Sequence, residues 1–172
     1  MVRDVVINQE NIEDRLYNVF LKKNEYFYYI NKYIMKIFYK DVSNRSETEI
    51  KNEIEFQEKV SSLGLCPKII KTDYKTFIEM EHLDELCLAD MYGESIKDIP
   101  DIILKKIYNI LVQIYLECDI AYLDVTPYNF IEKGDKIWII DFGDARKAPN
   151  KDWWLQETFE NGAITEWNPE FY

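Results

Sequence analysis

Short apolar runs alternate with polar breaks through the first part of the chain. Leu16-Tyr-Asn-Val-Phe-Leu21, Tyr26-Phe-Tyr-Tyr-Ile30 and Tyr33-Ile-Met-Lys-Ile-Phe-Tyr39 are separated by Lys22-Lys-Asn-Glu25 and by Asn31-Lys32. Dense aromatic and β-branched residues between such breaks predict an antiparallel meander. Before it the chain is polar and mixed, with a short strand expected over Val5 to Asn8. The period then changes. Ile50, Ile54, Val60 and Leu63 follow partial helical spacing between Ser46 and Gly64. Ser46 is a candidate N-cap, Glu49 completes a capping box, and Gly64 is a natural stop.

Leu65 to Ile70 and Thr76 to Leu83 read as two further extended pieces. Asp84 to Glu94 predicts a short helix followed by a loop. Pro100 suits the first turn of the next helix. That helix carries an apolar stripe, Ile103, Ile107, Ile110, Leu111 and Ile114, and ends near Cys118. Beyond it, Phe130-Ile131 and Ile137 to Ile140 read as paired buried strands around the turn Lys133-Gly134-Asp135. Strands and helices are thus both expected.

Composition narrows the picture. The 172 residues are 47% hydrophobic, enough for one compact domain or two small lobes with a shared core. A formal net charge of -11 disfavours nonspecific binding to nucleic-acid backbones or anionic membranes. Cys66, Cys87 and Cys118 are scattered without metal-ligand spacing and read as reduced core thiols of a cytoplasmic protein. No apolar run is long enough to span a bilayer, so no membrane role is expected. Trp153, Trp154 and Trp167 lie in an acidic tail and read as packing anchors folded back on the second half.

The candidate chemistry sits between Ala121 and Ala145. Asp124 is followed by Asn129, and the apolar run Ile137-Trp-Ile-Ile140 ends in Asp141-Phe-Gly143. A hairpin over these strands brings Asn129 and Asp141 to one open end, because they flank the two strands. Two oxygen ligands there, with the Asp124 carboxylate nearby, make a plausible Mg²⁺ site beside a general base.

This unit resembles the catalytic core of protein-kinase-like phosphotransferases, where an Asp is followed by a metal-binding Asn and the next strand ends in Asp-Phe-Gly. Asp-Phe-Gly-Asp-Ala is similar to aminoglycoside and choline phosphotransferases. The small size and Asp-Val-Thr-Pro-Tyr-Asn are similar to RIO kinases and to the small kinase of the KEOPS complex. The resemblance implies the α+β class and a two-lobed kinase-like fold, with an antiparallel N-lobe sheet over residues 1–82 and a truncated, mainly helical C-lobe over 83–172.

It also implies roles. Asp124 corresponds to the catalytic Asp, and Asn129 and Asp141 to the Mg²⁺ ligands. Ile34-Met-Lys36-Ile is similar to the strand whose Lys holds the ATP phosphates, so Lys36 takes that role with Ile34 beside the nucleotide. Glu53 is the expected helix partner of that lysine, with Glu55 as the rival. Met80-Glu-His-Leu83 is similar to the hinge, whose Glu81 and Leu83 backbone groups would face adenine. His82 is read as a spacer without a catalytic role.

Three departures stand against the pattern. The candidate phosphate-covering turn, Lys22 to Glu25, has no glycine, which leaves open weak nucleotide binding or partial substitution by lysine charge. Tyr122-Leu123 replaces His-Arg, and Thr126 replaces the catalytic-loop Lys. No Ala-Pro-Glu motif or long helical C-terminus is read after Asp141-Phe-Gly143, so the usual platform for a peptide substrate is not expected.

The leading expectation is therefore an ATP- and Mg²⁺-dependent phosphotransferase acting on a protein Ser/Thr or a small alcohol. The alternative is a kinase-like binding or regulatory module without catalysis. A third reading is a subunit completed by a protein partner bound through the Trp-rich tail.

Overall fold

A computed structural model of the protein describes residues 2–4 and 36–172. The strand expected over Val5 to Asn8, most of the meander, the turn Lys22 to Glu25 and Ile34 lie outside these described residues.

An antiparallel sheet is ordered β1-β2-β4-β3. Its strands are β1 (Val2–Asp4), β2 (Lys36–Asp41), β3 (Ile69–Thr72) and β4 (Phe77–Glu81). In the β2–β4 register, Phe38 faces Met80 and Lys40 faces Ile78. Alternation along β4 buries Ile78 and Met80 on one face. Helix α1 (Glu47–Ser62) covers that face. Its Ile50 and Ile54 join Val42, Ile78 and Met80 in a small core against which Ile69 packs.

The start of α1 follows from the sequence. Ser46 Oγ accepts from the Glu49 N–H at 3.3 Å, and the Ser46 N–H donates to Glu49 Oε2 at 2.8 Å. The reciprocal pair satisfies two helix-terminal donors. Beyond the helix the chain reverses at Gly64, whose φ of +70° favours a residue without a Cβ.

The larger core lies below. Phe56 and Val60 of α1 join it, so α1 spans both clusters. Its spine is α3 (Asp101–Cys118), preceded by the short α2 (Leu88–Tyr92) and a 3₁₀ turn, Ile96–Asp98. The stripe Ile103, Ile107, Ile110, Leu111 and Ile114 is buried as its spacing requires. Each such side chain contributes about 1.5–3 kcal/mol on leaving water. Pro100 is the N-cap of α3 rather than part of its first turn. The helix expected in Asp84 to Glu94 forms only over Leu88–Tyr92.

Asp119 ends α3 in the left-handed region, and the chain enters β5 (Ile120–Ala121). After the 3₁₀ turn Pro127–Asn129 comes the expected hairpin, β6 (Phe130–Lys133) with β7 (Lys136–Ile139). Lys133 pairs with Lys136, so Gly134, at φ +60°, and Asp135 form the tip. Strand β8 (Arg146–Lys147) returns to pair with β5. Helix α4 (Trp153–Asn161) then packs on the larger core. Of the tail indoles, Trp154 and Trp167 are buried, as anchors should be. Trp153 is 51% exposed and departs from that expectation. On α4 the inward positions fall to its neighbours Trp154, Leu155 and Thr158.

Among the described residues, the architecture is α+β, with small antiparallel sheets and four helices around two cores. This is compatible with a truncated kinase-like fold.

Candidate active site

The open end of the β6–β7 hairpin faces the sheet, and a cleft of about 300 Å³ lies between them. Phe38, Met80 and Leu83 line it from the sheet and the following strand end, and Ile131 and Ile140 from the hairpin. Lys40, Asn129 and Asp141 supply its polar end. A wider cavity of about 730 Å³ opens beside α1. Lys40 and Asp141 line both spaces, so their ion pair is the partition.

The hairpin places Asn129 and Asp141 together, as their flanking positions required. The Ile140 N–H donates to the Asn129 carbonyl at 3.0 Å. Asn129 Nδ2 donates to the Asp124 carbonyl at 3.1 Å, tying the loop to the same end. Asp141 has a φ of +60°. A non-glycine residue there is strained, and Asp tolerates it because its short carboxylate bonds locally. Asp141 Oδ1 accepts from the Gly143 N–H at 3.0 Å.

The lysine expectation needs correction. Lys36 does not reach Glu53; its Nζ pairs with Asp84 at 2.8 Å at the exposed hinge end. Lys40 reaches Glu53 Oε1 at 2.6 Å and Asp141 Oδ1 at 2.7 Å. The reason is register. Lys36 and Lys40 share a strand face, but four residues of strand separate them by about 13 Å. The Lys36 carbonyl accepts the His82 N–H, which fixes Lys36 at the hinge. Antiparallel pairing then sends Lys40 to the far end, over α1. That hinge position, read together with strand direction, was the signal that could have found Lys40.

Glu53 is 1% exposed and is the helix carboxylate that meets Lys40. Glu55 is exposed at the rim of the wider cavity, 3.0 Å from Lys59 one turn on, and does not meet Lys40. Glu53 also pairs with Arg45, a residue the sequence reading missed. Arg45 Nη2 donates to the Gly143 carbonyl at 3.0 Å. One guanidinium therefore links α1 to the Asp-Phe-Gly turn. A Cβ on Gly143 would lie 2.7 Å from Arg45 Nη1, so this approach needs glycine.

The electrostatics differ along the site. Burial pushes the Asp141 carboxyl up, but the Lys40 charge and hydrogen bond outweigh it and hold the carboxyl below its ordinary value. Among the described residues, no such cation pairs with Asp124. Burial raises its carboxyl, and Asp141 and Asp144 add to the rise against the hydrogen bond from Asn129. Tyr122, at the position of the missing His, is buried and donates to the Ile140 carbonyl at 2.7 Å. Its ring meets Phe130 and Phe142 edge to face.

A family model described as RIO domain matches residues 12–160, most of the chain. The chain belongs to the RIO domain family. Comparison with curated proteins finds no match. The RIO domain is an atypical protein-kinase-like family of ATP-using phosphotransferases.

At the stretch of this RIO domain expected to be the hinge, the Glu81 N–H donates to the Lys68 carbonyl. Lys133 Nζ donates to the Leu83 carbonyl. Among the described residues, buried His82 Nδ1 has no hydrogen-bond partner and lies 3.8 Å from the Asp84 carboxylate. Among the described residues no group of three or more His, Cys, Asp or Glu side chains could hold a metal ion. The expected ligands are instead one amide and one carboxylate. That set suits Mg²⁺, which keeps waters and takes phosphate oxygens beside few protein ligands. An apolar slot that ends in a lysine and this pair fits a nucleotide with its cation. Among the described residues no helix is long and apolar enough to cross a membrane.

Proposed function

We propose that this RIO domain is a minimal Mg²⁺-dependent phosphotransferase that moves the γ-phosphoryl group of ATP to a hydroxyl. The observation that carries the reading is the ion-pair chain from Glu53 through Lys40 to Asp141. It sets a cation and a carboxylate at the polar end of an apolar slot. Lys40, rather than Lys36, would hold the α- and β-phosphates. Asn129 and Asp141 would hold Mg²⁺, which supplies charge neutralisation between the β- and γ-phosphates. The Leu83 N–H and the Glu81 carbonyl would meet the adenine edge.

Asp124 would orient the acceptor hydroxyl or accept its proton. Its burial suits a base whose affinity for a proton exceeds that of a solvated carboxylate. The acceptor is a protein Ser/Thr or a small alcohol; the net charge of -11 suits a basic protein. We place the protein in the cytoplasm and divide it at the hinge into lobes of residues 1–82 and 83–172. The exposed Trp153 is the tail indole left for a partner.

The test is ATP turnover with Mg²⁺. Lys40→Met and Asp124→Ala should each lower kcat/KM by about 10²–10³, as loss of a preorganised polar group does. Lys36→Met should stay within about threefold, because an exposed pair contributes little. ATP binding without turnover would favour the binding or regulatory module. A chain that neither binds nor turns over ATP would refute the enzyme reading.

A further inference from the structure

The tail does more than pack. Asn168 is 0% exposed, and its side chain reaches past the core to the loop that carries Asp124. Asn168 Nδ2 donates to the Leu123 carbonyl at 2.8 Å. The Asn168 N–H donates to the Val125 carbonyl at 3.1 Å. These carbonyls flank Asp124 on both sides. The Asp124 carbonyl itself accepts from Asn129 Nδ2, so consecutive carbonyls of this loop are held from two directions.

Asn168 is itself fixed. Its Oδ1 accepts the Glu170 N–H at 3.1 Å, which orients the amide with Nδ2 toward Leu123. Its carbonyl accepts the Phe171 N–H at 3.1 Å. The preceding Trp167 is buried and donates from Nε1 to the Glu94 carbonyl at 2.8 Å. The tail thus reaches the loop as a rigid turn.

We infer that Asn168 is a positioning residue for Asp124, and that the C-terminal turn is a working part of the active site. Side chains that do chemistry must be held within about 0.5 Å, and a loop holds position less well than a helix or strand. Here a buried amide supplies the rigidity that the loop lacks. The inference rests on the reading that Asp124 acts on the acceptor. The hold on the loop can be measured apart from that reading.

The experiment uses the full chain with Asn168→Asp, Asn168→Ala and, as a control for general loosening of the core, Trp154→Phe on α4, outside the turn. Asp has nearly the same shape but turns an acceptor oxygen toward the Leu123 carbonyl. Alanine removes the donor without adding charge and serves if the Asp variant does not fold. Amide hydrogen exchange in a peptide spanning 121–130 should speed up by about tenfold or more in the Asn168 variants, as expected when a buried hydrogen bond is lost. Exchange in α3 should stay unchanged. In the same variants kcat should fall by about tenfold or more, with KM for ATP within about twofold. Trp154→Phe should leave loop exchange and kcat near wild type.

Unchanged loop exchange in both Asn168 variants would overturn the inference. So would an equal rise in α3 or in Trp154→Phe, which would mark general loosening. A wild-type chain without turnover would remove the catalytic reading. Loop exchange would still decide whether the tail holds the loop.

Discussion

The two sides of the cleft hold their polar residues by different means. On the sheet side, Lys40, Glu53 and Arg45 are held by opposite charge, and Lys40 carries that hold across the cleft to Asp141 at the hairpin end. Glu53 is sealed, while the Lys40, Arg45 and Asp141 side chains keep exposures of 19%, 23% and 44%. On the loop side, Tyr122, Asn129 and Asn168 donate to the backbone carbonyls of Ile140, Asp124 and Leu123. These donors are neutral and largely buried.

The difference suits the work expected of each side. A lysine that must exchange a carboxylate for a phosphate needs a partner it can release. A carboxylate that orients an acceptor needs a backbone that does not move. Charge in contact with water allows the first, and buried neutral hydrogen bonds provide the second.

The largest stability effect should come from the buried end of the charged side. Glu53→Gln leaves Lys40 and Arg45 facing a neutral amide, and thermal or urea unfolding should show a loss of about 3 kcal/mol. Glu55→Gln, on the solvent face, should stay within about 0.5 kcal/mol. A Glu53 loss as small as that of Glu55 would break the contrast, because the sheet side would then not depend on its buried carboxylate.

A smaller effect tests the loop side. Tyr122→Phe keeps the packed ring but leaves the Ile140 carbonyl without this donor. Urea unfolding should show a loss of about 1–2 kcal/mol. Turnover should fall with it only if the Asp-Phe-Gly strand shifts. A loss near zero would mean that packing alone holds this side.

The smallest effect lies outside both sets and gives a baseline for an exposed charge. Asp73 accepts from the Thr76 hydroxyl and from the Lys75, Thr76 and Phe77 N–H groups, closing the turn between β3 and β4. These bonds, the Thr76 hydroxyl first, hold its carboxyl far below the ordinary value. A depressed carboxyl stabilises the fold above its unfolded pKa, near 3.9, and loses that contribution as the pH falls toward the folded value. The melting-temperature gap between wild type and Asp73→Asn should therefore be full at pH 7 and shrink below about pH 4. A constant gap would mean that shape, not charge, is responsible.

Local rules account for much of what was legible in the sequence. The capping box of Ser46 and Glu49, the stripe of α3 and the Gly134 turn need only neighbours a few residues away. The meeting of Asn129 and Asp141 was legible for the same reason, since a hairpin with a short tip has one open end. The Lys36 reading failed because local similarity in Ile34-Met-Lys36-Ile carries no information about which strand end lies over α1.

Hairpin geometry, the element types of most of the described residues and the kinase-like family were thus legible in residue order, because spacing of apolar and turn residues dictates local backbone. The choice of Lys40, the Arg45 link to Gly143 and the grip of Asn168 on the Asp124 loop were decided by the folded chain. Lys40 and Asp141 are separated by 101 positions, and Asn168 and Leu123 by 45. Such pairs depend on strand register and on how the tail returns over the core, and only packing sets those.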